Sequence, residues 1–160
     1  MGDPFSIASG AAGVVSLGIT VCSGLLDYYS SWKDSDKNIA TMYASLEGLT
    51  KTFRLIQDTI GRSSFAADVA ERVLESTKSC EDGVNGLEKR LKKLGDPNSA
   101  GLESKIRIHA RKALYPFKES TLMKLREIIG DLRDNLSLAI DALQMYDTLC
   151  SLKSIEGYID

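Results

Sequence analysis

The sequence of 160 residues contains few of the side chains that build catalytic or metal centres. It has one histidine, His109, which lies among Arg107, Arg111 and Lys112. A lone histidine cannot supply a multi-histidine metal site, and neighbouring cations favour its neutral form. The sequence also lacks a glycine-rich phosphate loop, a nucleophile elbow and an acid–base pair. We therefore expect no metal, no cofactor and no enzymatic activity in this domain.

Cysteine is also scarce. The three cysteines, Cys22, Cys80 and Cys150, are widely spaced and odd in number. No pair has the spacing of zinc ligands, and a disulfide framework would leave one thiol unpaired. The pattern predicts reduced, mostly buried thiols in an intracellular protein. A chain of this length can bury a core without metal or disulfide crosslinks.

Only three prolines interrupt the chain, and no alternation of polar and apolar residues predicts a β-strand. Asp3 and Pro4 are a typical start for the first predicted helix, over residues 4–26, which can run on to Trp32. Three later segments carry apolar residues at intervals of three and four, as expected of helices that bury one face. Their stripes are Ile39, Met42, Leu46, Leu49, Phe53, Ile56 and Ile60; Val69, Val73, Cys80, Val84, Leu87, Leu91 and Leu94; and Leu122, Leu125, Ile129, Leu132, Leu136, Ala139, Leu143 and Tyr146.

Turn residues separate these segments. Gly61 ends the second helix, and residues 95–101 form the clearest turn in the chain. A shorter helix over residues 102–114 ends before Pro116, because the residue preceding a proline disfavours the helical region. The elements predict an all-α fold, a bundle of four to five long antiparallel helices in which residues 1–160 form a single domain.

The first helix differs from the others, because no charged residue lies between Asp3 and Asp27. Residues 4–26 span about 34 Å as a helix, enough for a hydrocarbon core of about 30 Å. Its small residues recur four apart, which lets helix backbones approach closely in lipid or in a crowded bundle. The acidic start argues against a secretory signal. A permanent membrane span, a helix that inserts when released, and a buried helix that never inserts stay open, and we favour the second.

Positive charge is concentrated in one part of a chain whose formal net charge is −2. From Lys89 to Arg126 there are eleven Lys and Arg against three Asp and Glu, a balance of +8, whereas each flanking segment carries −5. This basic island predicts either an anionic partner or a solvated helical face. Nearby aromatic residues are too few for a nucleic-acid platform. We expect contacts to anionic lipid headgroups by Lys89, Arg90, Lys92, Lys93, Lys105, Arg107, Arg111 and Lys112.

Residues 3–19 (DPFSIASGAAGVVSLGI) and 25–29 (LLDYY) resemble the N-terminal HeLo-like domain of fungal STAND receptors, which precedes nucleotide-binding NACHT modules. Residues 42–46 and the leucine-rich last helix are compatible with that family. Gly2 departs from the usual Met-Asp-Pro start of the family. The resemblance lies mainly in the first thirty residues.

The resemblance implies a cytoplasmic helical bundle that executes regulated cell death in fungal innate immunity or heterokaryon incompatibility. In such a domain, oligomerisation downstream of a nucleotide-binding receptor, in the same or another chain, releases the first helix to permeabilise the plasma membrane. The alternative is a non-inserting adaptor that recruits a partner protein. The residues that we expect to insert into the membrane come from two sources. Val21 is included because it lies in the uncharged segment. The others lie in the run that resembles the family: Phe5, Ile7, Gly10, Gly13, Val14, Leu17, Gly18 and Ile19.

Overall fold

A computed structural model describes residues 4–62, 67–94 and 119–156. The predicted turn at 95–101 and the predicted short helix at 102–114 lie outside these residues. Within them the chain forms four helices and no strand, which confirms the all-α bundle. The helices are α1 (Pro4–Tyr29), α2 (Lys37–Arg62), α3 (Ala67–Leu94) and α4 (Glu119–Glu156).

The connection between α1 and α2 sets the boundary of each helix. α1 continues three residues past the predicted end at residue 26, because Tyr29 is packed into the core with 2% of its surface exposed. Asp36 then begins α2 as an N-cap. Its Oδ1 accepts hydrogen bonds from the backbone N–H of Asn38 at 2.7 Å and of Ile39 at 3.3 Å. These bonds satisfy two N–H groups that the first turn leaves without a helical partner.

The four helices are arranged as a ring. α1 and α4 each pack on both α2 and α3. Across the two diagonals, α1 to α4 and α2 to α3, no Cα atoms of the described residues lie within 8 Å of each other. α1 and α4 therefore occupy opposite corners and meet only through side chains at the centre, where Ala11 and Leu143 share a cluster with Val69 and Val73 of α3.

The prediction of antiparallel neighbours is wrong for one of the two contacts of α1. Gly10 lies beside Leu74, and Gly24 lies beside Leu91, so α1 and α3 run parallel. The reason is that α2 and α3 occupy opposite corners, which places the third helix, with the same direction as the first, next to α1. The sequence pattern gives the facing residues of a helix but not its neighbours.

The predicted stripes of α2, α3 and α4 face the core, and nearly all of their described members are buried. Thr50 and Thr77 also occupy core positions. Their hydroxyls donate to the carbonyl oxygens of Leu46 at 2.8 Å and Val73 at 2.9 Å. Because a buried hydroxyl is costly only when it lacks a partner, the core accepts both threonines.

The last helix is longer than its core stripe predicts. The stripe ends at Tyr146, yet α4 continues to Glu156. Side chains of residues 147–155 are all exposed, so this last part of α4 contributes nothing to the core. The helix continues here because residues 147–156 include no proline or glycine, and not because one face is buried.

Two glycines of α1 give a matched test of how closely the helices pack. An added Cβ at Gly18 would lie 2.6 Å from Cζ of Phe53, a fully buried ring, whereas at Gly13 it would meet nothing within 4 Å. We expect Gly18→Ala to lower the free energy of unfolding by about 1–3 kcal/mol through overpacking. Gly13→Ala is expected to raise it by up to about 1 kcal/mol through helix propensity.

Urea unfolding followed by circular dichroism measures both changes in the free energy of unfolding. Equal effects of the two substitutions would contradict the close approach of α1 to α2 at Gly18.

Candidate functional site

α1 has a buried face and an exposed face, although its sequence shows little contrast between them. Its buried residues follow one stripe facing α2 and α3: Ala11, Val15, Gly18, Val21, Cys22, Leu25 and Tyr29. The opposite face carries small residues instead of charged ones, with Ser9, Gly13, Ser16 and Thr20 all exposed. α1 therefore has two distinct faces, although no charged residue marks the exposed one. Serine, threonine and glycine take the place that charged residues occupy on an ordinary surface helix.

The structure distributes the predicted insertion residues over both faces. Gly18 and Val21 are buried, while Val14, Leu17 and Ile19 are half-buried against the core. Gly10 and Gly13 are exposed, and the side chains of Phe5 and Ile7 lie outside the described residues. α1 is thus an integral wall of the bundle, and only part of the predicted set is accessible.

α1 contains one segment that is long and apolar enough to cross a membrane. Ser9–Tyr29 spans 21 residues with a mean hydropathy of 1.7, and 33% of its most apolar stretch is buried. Core helices of soluble proteins and signal sequences have the same length and composition, so this property alone assigns no function. A helix that buries one face in a bundle has a buried share of this size, and Val14, Leu17 and Ile19 pack against the core from the border of the buried face.

The exposed face of α1 borders a shallow cleft along α3. The cleft has a volume of about 270 Å³ and is lined on the α1 side by Gly10, Gly13, Val14 and Leu17. Nearby, the Thr20 hydroxyl donates to the carbonyl oxygen of Ser16 at 3.1 Å. Threonine hydroxyls bonded in this way need no external partner, so this face remains compatible with an apolar environment.

Aromatic residues cluster directly after the uncharged segment. The ring of Tyr28 lies 4.9 Å from that of Tyr29, in an edge-on arrangement, and 5.2 Å from the ring of Trp32. Lys33 Nζ lies 5.1 Å from the ring centre of Tyr43 on α2, within the range of a cation–π contact. The cluster joins the end of α1 to the start of the next helix.

The structure places only part of the predicted lipid-contact set. Lys89 and Lys92 are exposed near the end of α3, and Arg90 is half-buried. Lys92 Nζ lies 3.0 Å from a carboxylate oxygen of Glu88, a solvent-exposed pair that neutralises part of the positive charge. The side chain of Lys93 and residues Lys105, Arg107, Arg111 and Lys112 lie outside the described part of the chain.

The thiols behave as two buried groups and one exposed group. Burial raises the pKa of Cys22 to about 12 from its ordinary value of 9.0, and a hydrogen bond with Thr50 opposes this with a smaller effect. Burial likewise raises the pKa of Cys80 to about 11. Cys150 is exposed on α4. Within the ranges 4–62, 67–94 and 119–156, no cluster of three His, Cys, Asp or Glu residues could hold a metal ion.

The sequence reasoning missed a second apolar stripe on α4. Leu138, Met145, Leu149 and Leu152 lie at helical spacing on a face turned away from the core stripe. All four are more than half exposed: Leu138 at 61%, Met145 at 54%, Leu149 at 51% and Leu152 at 54%. The helical spacing of these residues would have indicated the second stripe, but the core stripe of α4 was sufficient to predict the helix.

No protein-family model matches the chain, and no solved structure matches it. The chain is similar to a fungal protein, the azaphilone pigments biosynthesis cluster protein L of Monascus ruber, with 32% identity over 164 residues. The match covers 97% of this chain but 34% of the relative, so the chain spans about a third of that protein's length. The chain thus has a fungal relative, in agreement with the fungal part of the resemblance drawn from its first residues.

Labelling of the thiols tests the burial of α1. In the folded protein we expect a maleimide to modify Cys150 rapidly and to leave Cys22 and Cys80 unmodified until the bundle opens, because thiolate formation needs exposure. Mass spectrometry of the labelled peptides measures this, and Cys150→Ser serves as the control that removes the fast reaction. Modification of Cys22 as fast as that of Cys150 would contradict the packing of α1.

The same thiols predict a loss of stability in alkali. Their pKa values are higher in the folded state than the ordinary 9.0, so the unfolded chain loses these protons first as the pH rises. The two thiols therefore leave stability unaffected below about pH 9 and lower it progressively above that pH. Replacing Cys22 by alanine is expected to reduce this alkaline slope in urea unfolding, and an unchanged slope would contradict the assignment.

Proposed function

We propose that the chain is a membrane-directed, non-enzymatic effector domain of the HeLo-like type, which stores α1 in the bundle and releases it on assembly. Released α1 segments would insert into an anionic membrane and permeabilise it, in the service of fungal regulated cell death. The observation that carries this proposal is that α1 is long and apolar enough to cross a bilayer, and that its exposed residues between positions 9 and 26 are all small and uncharged.

The ring arrangement supports release of α1 without loss of the other contacts. The backbone of α1 approaches only those of α2 and α3, and α1 meets α4 only through side chains at the centre, whereas α4 packs on both α2 and α3 from the opposite corner. Removing α1 therefore leaves α2, α4 and α3 joined through α4. Removing α2 or α3 would break two packed interfaces as well, and each of these helices lies between other helices along the chain.

The packing of α1 explains why release would require a trigger. Val15, Val21 and Leu25 are at most 2% exposed, and burying such a side chain contributes about 1.5–3 kcal/mol each. Their combined burial is comparable to the total stability of a small domain, about 5–15 kcal/mol. Spontaneous release is therefore rare, and assembly at a membrane would have to offset this cost.

The ends of α1 fit a membrane-spanning helix. Tyr28, Tyr29 and Trp32 follow the uncharged segment at the position where aromatic side chains concentrate at membrane interfaces. Small residues four apart on the exposed face, such as Ser9 with Gly13 and Ser16 with Thr20, would let inserted copies pack closely. The basic residues of the 89–112 region would attract the domain to anionic headgroups before insertion.

The second candidate function is a helical adaptor in which α1 never leaves the core. The observation that favours it is the burial of α1 side chains from Ala11 to Tyr29 along one continuous stripe. The name of the fungal relative refers to a biosynthesis gene cluster and to no reaction, and it favours neither candidate.

A liposome-leakage assay separates the two candidates. We expect purified protein fused to an inducible oligomerisation domain to release dye from anionic liposomes when oligomerisation is induced. Gly13→Glu should slow release by at least about tenfold, because an ionised side chain near the centre of a spanning helix costs about 2.5–3.5 kcal/mol. The matched control is Gly130→Glu on α4, since both glycines are exposed and an added Cβ meets nothing within 4 Å at either.

Circular dichroism should show that both variants keep the wild-type helix content. Wild-type protein that never releases dye after induced oligomerisation would rule out insertion and leave the adaptor. Equal slowing by both substitutions would also contradict insertion of α1, because only one of them lies in that helix.

A second experiment tests the lipid role of the basic island. Lys89→Glu combined with Lys92→Glu should weaken binding to anionic liposomes by at least about tenfold, because each cation near such a surface contributes about 1 kcal/mol. Lys51→Glu combined with Arg54→Glu changes the net charge equally at exposed positions of α2. Liposome co-sedimentation measures the binding of both double variants. Equal weakening by the two would show that binding depends on net charge alone and not on the basic island.

A further inference from the structure

The second apolar stripe of α4 lies beside an open groove between α3 and α4. Two adjoining clefts, of about 330 Å³ and 440 Å³, form this α3–α4 groove and share Ser79 and Asn135 in their walls. Leu138 and Met145 line the second cleft and Ile128 lines the first. The groove therefore follows α4 over most of its core-packed length.

Small residues on α3 create the groove. An added Cβ at Gly83 would lie 2.9 Å from Cδ2 of Leu132, so the Leu132 side chain of α4 packs directly on the backbone of α3 there. Ser76 and Ser79 continue the same side of α3 with short side chains and line the clefts beside Leu138. Short side chains on the α3 wall leave an open channel, and apolar side chains of α4, among them Leu138 and Met145, line its other wall between carboxylates.

The rim of the groove is strongly acidic. Its lining includes five carboxylates and a single guanidinium, that of Arg72. The carboxylates lie on both sides, two on α3 and three on α4: Glu75, Asp82, Asp131, Asp134 and Asp141. A groove that presents exposed apolar side chains together with carboxylates on both of its walls is complementary to an amphipathic helix with cationic flanks.

We propose that the α3–α4 groove is a docking site for a basic amphipathic helix of another protein. The positions from Ile128 to Met145 span about 26 Å, which matches roughly five turns of a partner helix. Leu149 and Leu152 prolong the apolar stripe beyond the clefts and would contact further turns of a longer partner. Apolar contacts from this stripe provide affinity, and the carboxylates select the sign of the partner's charge.

The acidic rim disfavours other occupants. Anionic lipids and nucleic acids would meet five carboxylates, and a second copy paired through the same groove would bring its Asp131, Asp134 and Asp141 against those of the first. The inference is independent of membrane insertion, because α1 contributes no residue to either cleft.

Fluorescence anisotropy with a synthetic peptide tests the proposal on the intact chain. The probe is a labelled helix of about 18 residues with leucine and alanine at helical spacing and lysine on the remaining face, and its control carries glutamate in place of lysine. We expect the lysine peptide to bind and the glutamate peptide not to bind. Raising the salt concentration from roughly 50 to 500 mM should weaken binding by about tenfold or more.

Matched variants locate the binding surface. Leu138→Ser should weaken the affinity for the lysine peptide by about tenfold. Leu55→Ser, at a comparably exposed leucine on α2, should change this affinity by less than about twofold. Asp134→Asn with Asp141→Asn should also weaken it by about tenfold. The charge-matched control, Glu47→Gln with Asp58→Asn on α2, should leave it unchanged.

Three results would overturn the proposal. The first is absence of peptide binding to the wild-type protein, and the second is equal weakening by groove and control variants. The third is a wild-type dimer in sedimentation that Leu138→Ser dissociates, since the groove would then serve a second copy. The Gly13→Glu variant should bind the peptide as tightly as the wild type does, because Gly13 lies outside the groove. Membrane insertion and peptide docking can therefore fail separately in these experiments.

Discussion

Phe53 fills the contact between α2 and α1, and it does so against the bare backbone of Gly18, where an added Cβ would lie 2.6 Å from the ring. This close approach lets the buried stripe of α1 reach the core formed by the other helices. On α3, Gly83 plays the same part against Leu132 of α4. Small residues thus set the helix separations, and the positions of the α1 surface and of the α3–α4 groove follow from them.

The same choice of small residues gives α1 compatibility with two environments. In the bundle, glycine admits large side chains from neighbouring helices, and the outward serines and threonines tolerate water. In a bilayer, these residues would carry no charge into the hydrocarbon and would permit close packing of helices. A more polar exposed face would favour the folded bundle over the membrane. A face of large apolar residues would make copies of the protein associate in water.

The core faces of α2, α3 and α4 were predictable because charged residues separate their apolar stripes. The two faces of α1 were not, since Ser16 and Thr20 differ little in hydropathy from the alanine and glycine around them. The ring order was also hidden, because the diagonal position of α2 and α3 depends on contacts distant in sequence. The exposed apolar stripe that includes Leu138 and Met145 was not predicted, because the core stripe alone is enough to predict helix α4.

The largest side chains that α1 buries, Leu25 and Tyr29, lie at its C-terminal end, whereas its first buried side chain is the small Ala11. The packing of α1 on the bundle is therefore graded, weakest in its first turns and strongest where the chain turns into α2. Detachment that begins in the first turns would meet rising resistance toward the last. The last turns would act as a hinge, and a partly lifted α1 would stay tethered at its aromatic end while its first turns explore the surroundings.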